Sequence, residues 1–108
     1  MKRGDVVIAA AKGQFTGKPR PYVVVQGDWT LNAAATVTLC PITTQPVGIG
    51  RIRVPVQAAA ATGLDTDGEV EIDRITTVRR TSIGQRVGAL PDDIMRRVDR
   101  SLKNWLDL

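Results

Sequence analysis

Histidine is absent from all 108 residues of the chain. That removes the commonest general acid and base near neutral pH, the usual serine and cysteine triads, and most zinc and iron sites. An enzyme built from this sequence must work with Arg, Lys, Asp, Glu, Ser, Thr, Tyr or its one cysteine, Cys40. A single cysteine also rules out an intrachain disulfide; small secreted domains usually carry several, so the chain reads as cytoplasmic. No apolar run approaches the ~20 residues that span a bilayer, and no membrane partner is expected. The stretch "VVIAAA" at 6 to 11 follows Lys2 and Arg3, but Asp5 interrupts the pattern and a typical cleavage region is missing, which argues against a signal peptide. There is no internal repeat, no low-complexity tract and no dividing linker, so residues 1–108 are expected to form a single domain with one core.

Fifteen Lys and Arg outnumber eleven Asp and Glu, a moderate excess that favours an anionic partner such as nucleic acid. Along the chain, "GDVVIAA" (4 to 10) and "PYVVVQ" (21 to 26) read as strands, joined by a flexible connection that Gly13, Gly17 and Pro19 mark. "GDWTLNAAA" (27 to 35) reads as a loop. "TVTLCPIT" (36 to 43) alternates as a strand that Pro41 should confine to an edge, a bulge or an end. "RIRVPV" (51 to 56) puts Ile52 and Val54 on one face and Arg51 and Arg53 on the other. "EVEIDRI" (69 to 75) and "TSIGQRVGAL" (81 to 90) also show period-2 character. The period then changes: Ile94, Val98, Ser101, Leu102, Trp105 and Leu106 fall on one helical stripe, with Pro91 at its start. Asp92 and Asp93 sit at the positive end of that dipole, and Arg96, Arg97, Arg100 and Lys103 follow toward the negative end. Short strands at close spacing followed by one helix predict a mainly β fold, a strongly bent antiparallel sheet or small barrel with a C-terminal helix packed on it.

Four groups of residues carry candidate chemistry. Asp65, Asp67, Glu69, Glu71 and Asp73 form an acidic ladder, but Gly68 is misplaced for a calcium loop, and Glu69, Glu71 and Asp73 share a face that reads as solvated. Cys40 lies among Leu39, Pro41 and Ile42 and reads as a buried thiol rather than a nucleophile. The basic residues of the final helix suit either phosphate contact or a solvated face. Arg20 and the threonines of "PITTQ" (41 to 45) form the fourth group. Prolines flank Arg20 and a β-branched run follows it, so its guanidinium leaves a stiff strand start in a restricted direction, and that planar fork suits phosphate oxygens. Thr43 and Thr44 close a strand, where hydroxyls either cap a turn or hold a phosphate; a surface salt bridge and a turn are the structural alternatives for the arginine and the threonines.

"RGDVV" (3 to 7), "GKPRPYVVVQ" (17 to 26), "CPITTQ" (40 to 45), "GLDTDGEVEIDRITTV" (63 to 78) and "IGQRVGALPDDIMRRVDRSLKNWLDL" (83 to 108) run in one order over nearly the whole chain. In these blocks it resembles the MazF/PemK family, the toxin components of bacterial type II toxin-antitoxin pairs. The resemblance implies an SH3-barrel-like bent antiparallel sheet with a C-terminal helix, a homodimer, and a separate cognate antitoxin protein that covers the site. It also implies a ribosome-independent, metal-independent endoribonuclease that cuts single-stranded RNA at short sequences, leaves 2′,3′-cyclic phosphate and 5′-hydroxyl ends, and uses no cofactor. Carried over by position, Arg20 becomes a catalytic residue and Thr43 its partner, with Lys18, Gln26, Trp29, Thr44, Gln45, Asp73 and Arg74 as substrate-binding candidates. Trp29 offers a stacking surface for an unpaired base, or else packs on its own protein or a dimer partner.

Departures from the family pattern bear on specificity. The first loop, "AAKGQFTGKP", is short and basic where the family commonly has a longer acidic, Ser-rich one. Arg74 stands where the family often has glutamine, which offers phosphate a charge or changes the preferred base. Glu69 and Glu71 stand where many relatives are apolar, so that strand is expected to be more exposed. Two rival readings accompany the ribonuclease: a toxin of the same fold that poisons a protein partner such as DNA gyrase, and a relative that has lost catalysis. The paired "GKPRP" and "PITTQ" blocks favour the ribonuclease over gyrase poisoning, which needs no phosphate-stabilising arginine and threonine.

Overall fold

The computed structural model of the chain describes residues 1–10 and 18–108. Most of the expected flexible connection, with Gly13 and Gly17, lies outside the described residues. The elements in order are β1 (Asp5–Ala9), β2 (Arg20–Val24), a short helix α1 (Asp28–Leu31), β3 (Thr36–Thr43), β4 (Arg53–Val56), β5 (Gly68–Glu71), β6 (Thr76–Arg79), β7 (Ile83–Ala89) and the helix α2 (Asp92–Leu106). All strand pairs are antiparallel, and the sheet runs β4-β5-β3-β2-β1-β7, with β6 also paired to β3. A mainly β, bent sheet with a C-terminal helix is the architecture expected from the sequence. Among the described residues, no helix is long and apolar enough to cross a membrane.

The valine runs are continuous because both faces of the sheet's centre are covered. Val6, Val23, Cys40, Ile42, Val54, Val70 and Ile72 meet Met95 and Val98 of α2 in one core. Their alternates Val7, Tyr22, Val24, Leu39 and Val37 form a second core with Leu31 of α1 and Val78 of β6. The period of 2 thus sends neighbouring residues to opposite cores. Leu31 is the reason "GDWTL" folds into a helical turn where the sequence suggests only a loop. Cys40 is fully buried, and its thiol is pushed up to about 12, chiefly by burial and further by the negative charge of Asp73.

β3 is the strand on which the bend turns. Its first half pairs with β6 from Thr36 to Leu39, and its end pairs with β5 at Ile42 and Thr43, while β2 lies along its other side. Pro41 falls between the β6 and β5 ladders, so the missing amide costs neither of them a bond. The proline therefore marks an interior change of partner rather than the edge, bulge or end expected. β6 itself escaped notice because "TTVR" buries only Val78.

The acidic strand is where the sequence reading fails. Glu69 and Glu71 are each only 3% exposed, and Arg53 is 7% exposed; none of them forms a solvated face. Arg53 stands directly across from Glu71 in the β4–β5 ladder. Its guanidinium gives Asp73 two hydrogen bonds, at 2.8 Å from Nε and 3.1 Å from Nη2. Glu71 lies 3.5 Å from the same guanidinium and Glu69 3.8 Å. Glu69 in turn accepts the amides of Val47 and Gly48, which fastens the loop before β4. The strand also stops sooner than the alternation suggests, because Ile72–Arg74 is a 3₁₀ turn. A buried cation with matched carboxylates reverses the expected exposure, since an ion pair must form where a charge leaves water.

The N-terminal block is explained by similar pairings. Arg3 donates to the Val25 carbonyl and to Asp99 on α2, and Asp5 pairs with Arg86 of β7. Gly4 holds φ at +93° beneath Met95, a conformation that suits glycine. On α2, Met95, Val98 and Ser101 are buried, with Ile94 and Leu102 partly so. Trp105 and Leu106, expected on the buried stripe, are about half exposed.

Two stability predictions follow from these contacts. Hydrogen bonding to Arg53 holds the Asp73 carboxyl below its usual range, against the opposing effect of burial. A carboxyl lowered by folding contributes stability that is complete above its unfolded value of about 3.9 and is lost as pH falls through the folded one. The urea midpoint should hold down to about pH 5 and drop below about pH 4, and Asp73→Asn should flatten part of that drop. An unchanged acid limb in the variant would assign it to other groups. Separately, a Cβ on Gly68 would lie 2.4 Å from the Thr43 carbonyl oxygen, both of them backbone-fixed. Gly68→Ala should lower unfolding free energy by about 1–3 kcal/mol, measured by urea titration; an unchanged midpoint would mean that the β3–β5 contact yields freely.

Candidate functional site

β2 begins and β3 ends at the same edge of the sheet, and a pocket of about 340 Å³ opens there. The register makes this meeting unavoidable. Tyr22 faces Pro41 in an antiparallel pair, so continuing the ladder by two residues sets Arg20 across from Thr43. On its other side Arg20 is paired with Ala9 of β1, which fixes its backbone within the sheet. Pro21 restrains the next torsion, and the half-buried Arg20 side chain enters the pocket from this held position.

Thr43, Thr44 and Gln45 supply a second wall. The Thr43 hydroxyl oxygen accepts the Gln45 amide at 3.1 Å, which tightens the strand end into a turn. A hydroxyl used as an acceptor keeps its own proton to donate, so the turn orients Thr43 without consuming it. Glu71 and Arg74 close the third side from the end of β5 and the 3₁₀ turn. The Arg74 guanidinium lies 3.4 Å from Glu71 and is 41% exposed. Two guanidiniums and a hydroxyl therefore converge on one small polar space, an arrangement suited to an anion with several oxygens.

The structure gathers Arg20, Thr43, Thr44, Gln45 and Arg74 from the residues singled out in the sequence. The other four stand apart. Lys18 is exposed ahead of β2 and does not line the pocket. Gln26 braces the turn after β2: its carbonyl oxygen accepts the Thr38 amide and its amide donates to Thr30, each at 2.9 Å. Trp29 projects from α1 with 89% of its surface exposed. Asp73 spends its carboxylate on Arg53. Glu71 is the pocket residue that the sequence reading missed. Its signal was the opposite charge of two alternating stretches, "RIRV" and "EVEID", which calls for pairing across a sheet.

A larger cavity of about 660 Å³ lies elsewhere, along β4, β5 and the start of α2. Its lining is mainly apolar, and Arg97 is its one cation beside Asp67, Glu69 and Asp93. Such a surface repels phosphate, so size does not make it the better candidate for an anionic ligand.

The chain's relatives share this whole frame. A family model described as PemK-like, MazF-like toxin of type II toxin-antitoxin system matches residues 2–106. A probable endoribonuclease MazF of Mycolicibacterium smegmatis is 43% identical over 108 residues, covering 100% of this chain and 98% of that protein. Endoribonuclease MazF6 of Mycobacterium tuberculosis is 34% identical over 100 residues, 89% of this chain and 85% of that one. Among solved structures, the Mycobacterium tuberculosis toxin MazF-mt6 superposes with a TM-score of 0.83 at 26% identity, covering 96% of this chain and 97% of that chain. MazF of Deinococcus radiodurans, at 20% identity, has the same fold, with a TM-score of 0.84 over 100% of this chain and 97% of that chain. Because the match runs from the first strand's approach to the end of the last helix, the chain belongs to the PemK-like, MazF-like toxin family of type II toxin-antitoxin systems.

Proposed function

We propose that this toxin is an endoribonuclease that cuts single-stranded RNA without a metal ion, with its site in the pocket where β2 begins and β3 ends. The observation that carries this reading is the convergence of Arg20 and Thr43, from separate strands, on one space that Arg74 also borders. In the reaction a ribose 2′-hydroxyl attacks the adjacent phosphorus, the bond to the 5′-oxygen breaks, and extra negative charge gathers on the phosphoryl oxygens. Arg20 stabilises that charge and Thr43 donates a hydrogen bond to it. A preorganised donor of this kind is worth about 2.7–4 kcal/mol of barrier. Arg74 meets phosphate from the opposite wall, and Thr44 and Gln45, exposed at the rim, contact the neighbouring nucleotide. Lys18 and Trp29 act outside the pocket, the first as a charge beside the entering backbone and the second as a stacking surface. Gln26 and Asp73 serve the site indirectly, as braces.

The chain acts as a single domain in the cytoplasm, as a homodimer, and a cognate antitoxin protein covers its site. Related structures solved with a MazE partner or a cognate antitoxin support that assembly by analogy of fold.

Wild-type protein in EDTA should cut a long unstructured RNA at discrete positions, leaving 5′-hydroxyl ends. Arg20→Ala and Thr43→Ala, each folded, should lose about 10²–10³-fold in kcat. Intact RNA with folded wild-type protein, or full activity in both variants, would overturn the reading and turn attention to DNA gyrase as a target.

A further inference from the structure

Cleavage by an internal hydroxyl needs a group to take that hydroxyl's proton, and neither Arg20 nor Thr43 can. A guanidinium holds its proton above pH ~12 and has no acceptor site, and a threonine hydroxyl or glutamine amide does not gain a proton near neutral pH. The chain has no histidine. Among the described residues lining the pocket, Glu71 is the one carboxylate, and the stretch 11–17 contains no Asp or Glu in its sequence.

The environment of Glu71 is unusual for a structural acid. Its Oε2 lies 3.5 Å from Arg53 and 3.4 Å from Arg74. Its Oε1 is closed off from solvent and has no hydrogen-bond partner. A buried acceptor left in that state costs stability, so the fold gains nothing from it. Asp73 takes the two hydrogen bonds that Arg53 makes to a carboxylate, and Glu71 stands farther from it, at 3.5 Å. A negative charge beside a phosphate pocket is a further liability for binding. Both costs make sense if the carboxylate, one oxygen of which meets the more exposed Arg74, is kept for the reaction.

We propose that Glu71 is the general base of the cleavage. The assignment rests on the endoribonuclease reading above. A carboxylate oxygen of Glu71 takes the proton of the 2′-hydroxyl as the 2′-oxygen forms its bond to phosphorus. The bond from phosphorus to the 5′-oxygen breaks, and that oxygen leaves as a hydroxyl, with a proton supplied from Arg20 or water. Proton loss from Glu71 to solvent then restores the carboxylate, and Arg20, where it was the donor, regains its proton from solvent, so both groups return to their starting state with no redox change. Arg74 supplies the timing. Its exposed guanidinium covers Glu71 in the free chain, and an arriving phosphate competes for it. Moving Arg74 to the phosphate uncovers the Glu71 oxygen that it contacts and opens it to the 2′-hydroxyl. The charged groups around Glu71 are Arg53 from β4, Glu69 on its own strand, Asp73 and Arg74 from the 3₁₀ turn, and Arg20 across the pocket.

The test uses an RNA oligonucleotide spanning one mapped wild-type cut, its 2′-deoxy analogue at that position, and single-turnover rates across pH. Glu71→Gln should slow cleavage by about 10²–10⁴-fold while binding the analogue within about threefold of wild type. Wild type should lose rate at acid pH, that fall should disappear in this variant, and Glu71→Asp should recover part of the rate together with the acid limb. A substrate with sulfur in place of the bridging 5′-oxygen, which needs no proton to leave, should not relieve the Glu71→Gln defect.

Cleavage by Glu71→Gln within about fivefold of wild type, an acid limb retained in it, or full relief by the sulfur substrate would each overturn the assignment. If Glu71→Gln does not fold, the wild-type profile decides, because a rate that stays flat into acid excludes a carboxylate base. Wild-type protein that leaves every RNA intact is a different outcome, and it overturns the endoribonuclease reading itself.

Discussion

A single buried guanidinium organises the half of the sheet that carries the pocket. Arg53 has left water almost completely, and the desolvation of a permanent charge is offset only if carboxylates meet it with good geometry. Asp73, from the turn after β5, does so with two hydrogen bonds, and Glu71 and Glu69 of β5 add their charge from 3.5 and 3.8 Å. Their positions are then no longer free: Glu69 fastens the loop before β4, Glu71 faces the pocket, and Asp73 pins the 3₁₀ turn that directs Arg74. Apolar residues of similar volume would fill this space with less electrostatic strain, but they would not fix where two charged neighbours point. The ion cluster is better understood as a positioning device than as a source of stability.

The second constraint is the register of β3. One strand pairs with β2 from Leu39 to Pro41 on one side and divides its other side between β6 and β5. The division bends the sheet, and the bend brings the turn after β5 to the place where β2 begins. Arg20, Thr43 and Arg74 therefore meet although they are far apart in sequence, and each sits on or next to a paired strand. Polar groups that converge on one small pocket keep their geometry best on such rigid support. The small Gly68, pressed on the Thr43 carbonyl, belongs to the same arrangement, because β5 reaches β3 only if no side chain intervenes.

Much of this was legible in the sequence where hydrophobic period and local chemistry agree. The valine runs, the alternation of "TVTLCPIT" and the stripe of the last helix locate β1, β2, β3 and α2, and the stiff "RPY" step with "PITT" supplies two walls of one polar pocket. The failures share a cause, which is that a partner's identity decides the fate of a residue. Alternating Glu and Val is the pattern of a half-solvated strand until a buried arginine lies opposite, and nothing local to "EVEID" reveals that Arg53 does. Gln26 looks available for RNA until Thr38 and Thr30 claim both ends of its amide. Trp105 fits the apolar stripe but is about half exposed, while Met95, which the stripe did not include, is buried and fills the space over Gly4. α1 has one buried residue, Leu31, too little for any periodic signal.

A ribonuclease site without histidine also has a particular electrostatic character. Guanidiniums and hydroxyls do not change charge between acid and mildly alkaline pH, so a pocket walled by Arg20, Arg74 and Thr43 keeps its positive character across that range. Any response to acidity must enter through carboxylates, and the ones near the pocket differ in their freedom. Asp73 is held ionised by Arg53 and acts as scaffold. Glu71 shares its cation contacts between a buried arginine and a half-exposed one. The same buried pairings that hold an arginine-rich pocket together thus also sort its acids, one locked into the fold by two hydrogen bonds and one bordering the pocket beside the arginine that is freer to move.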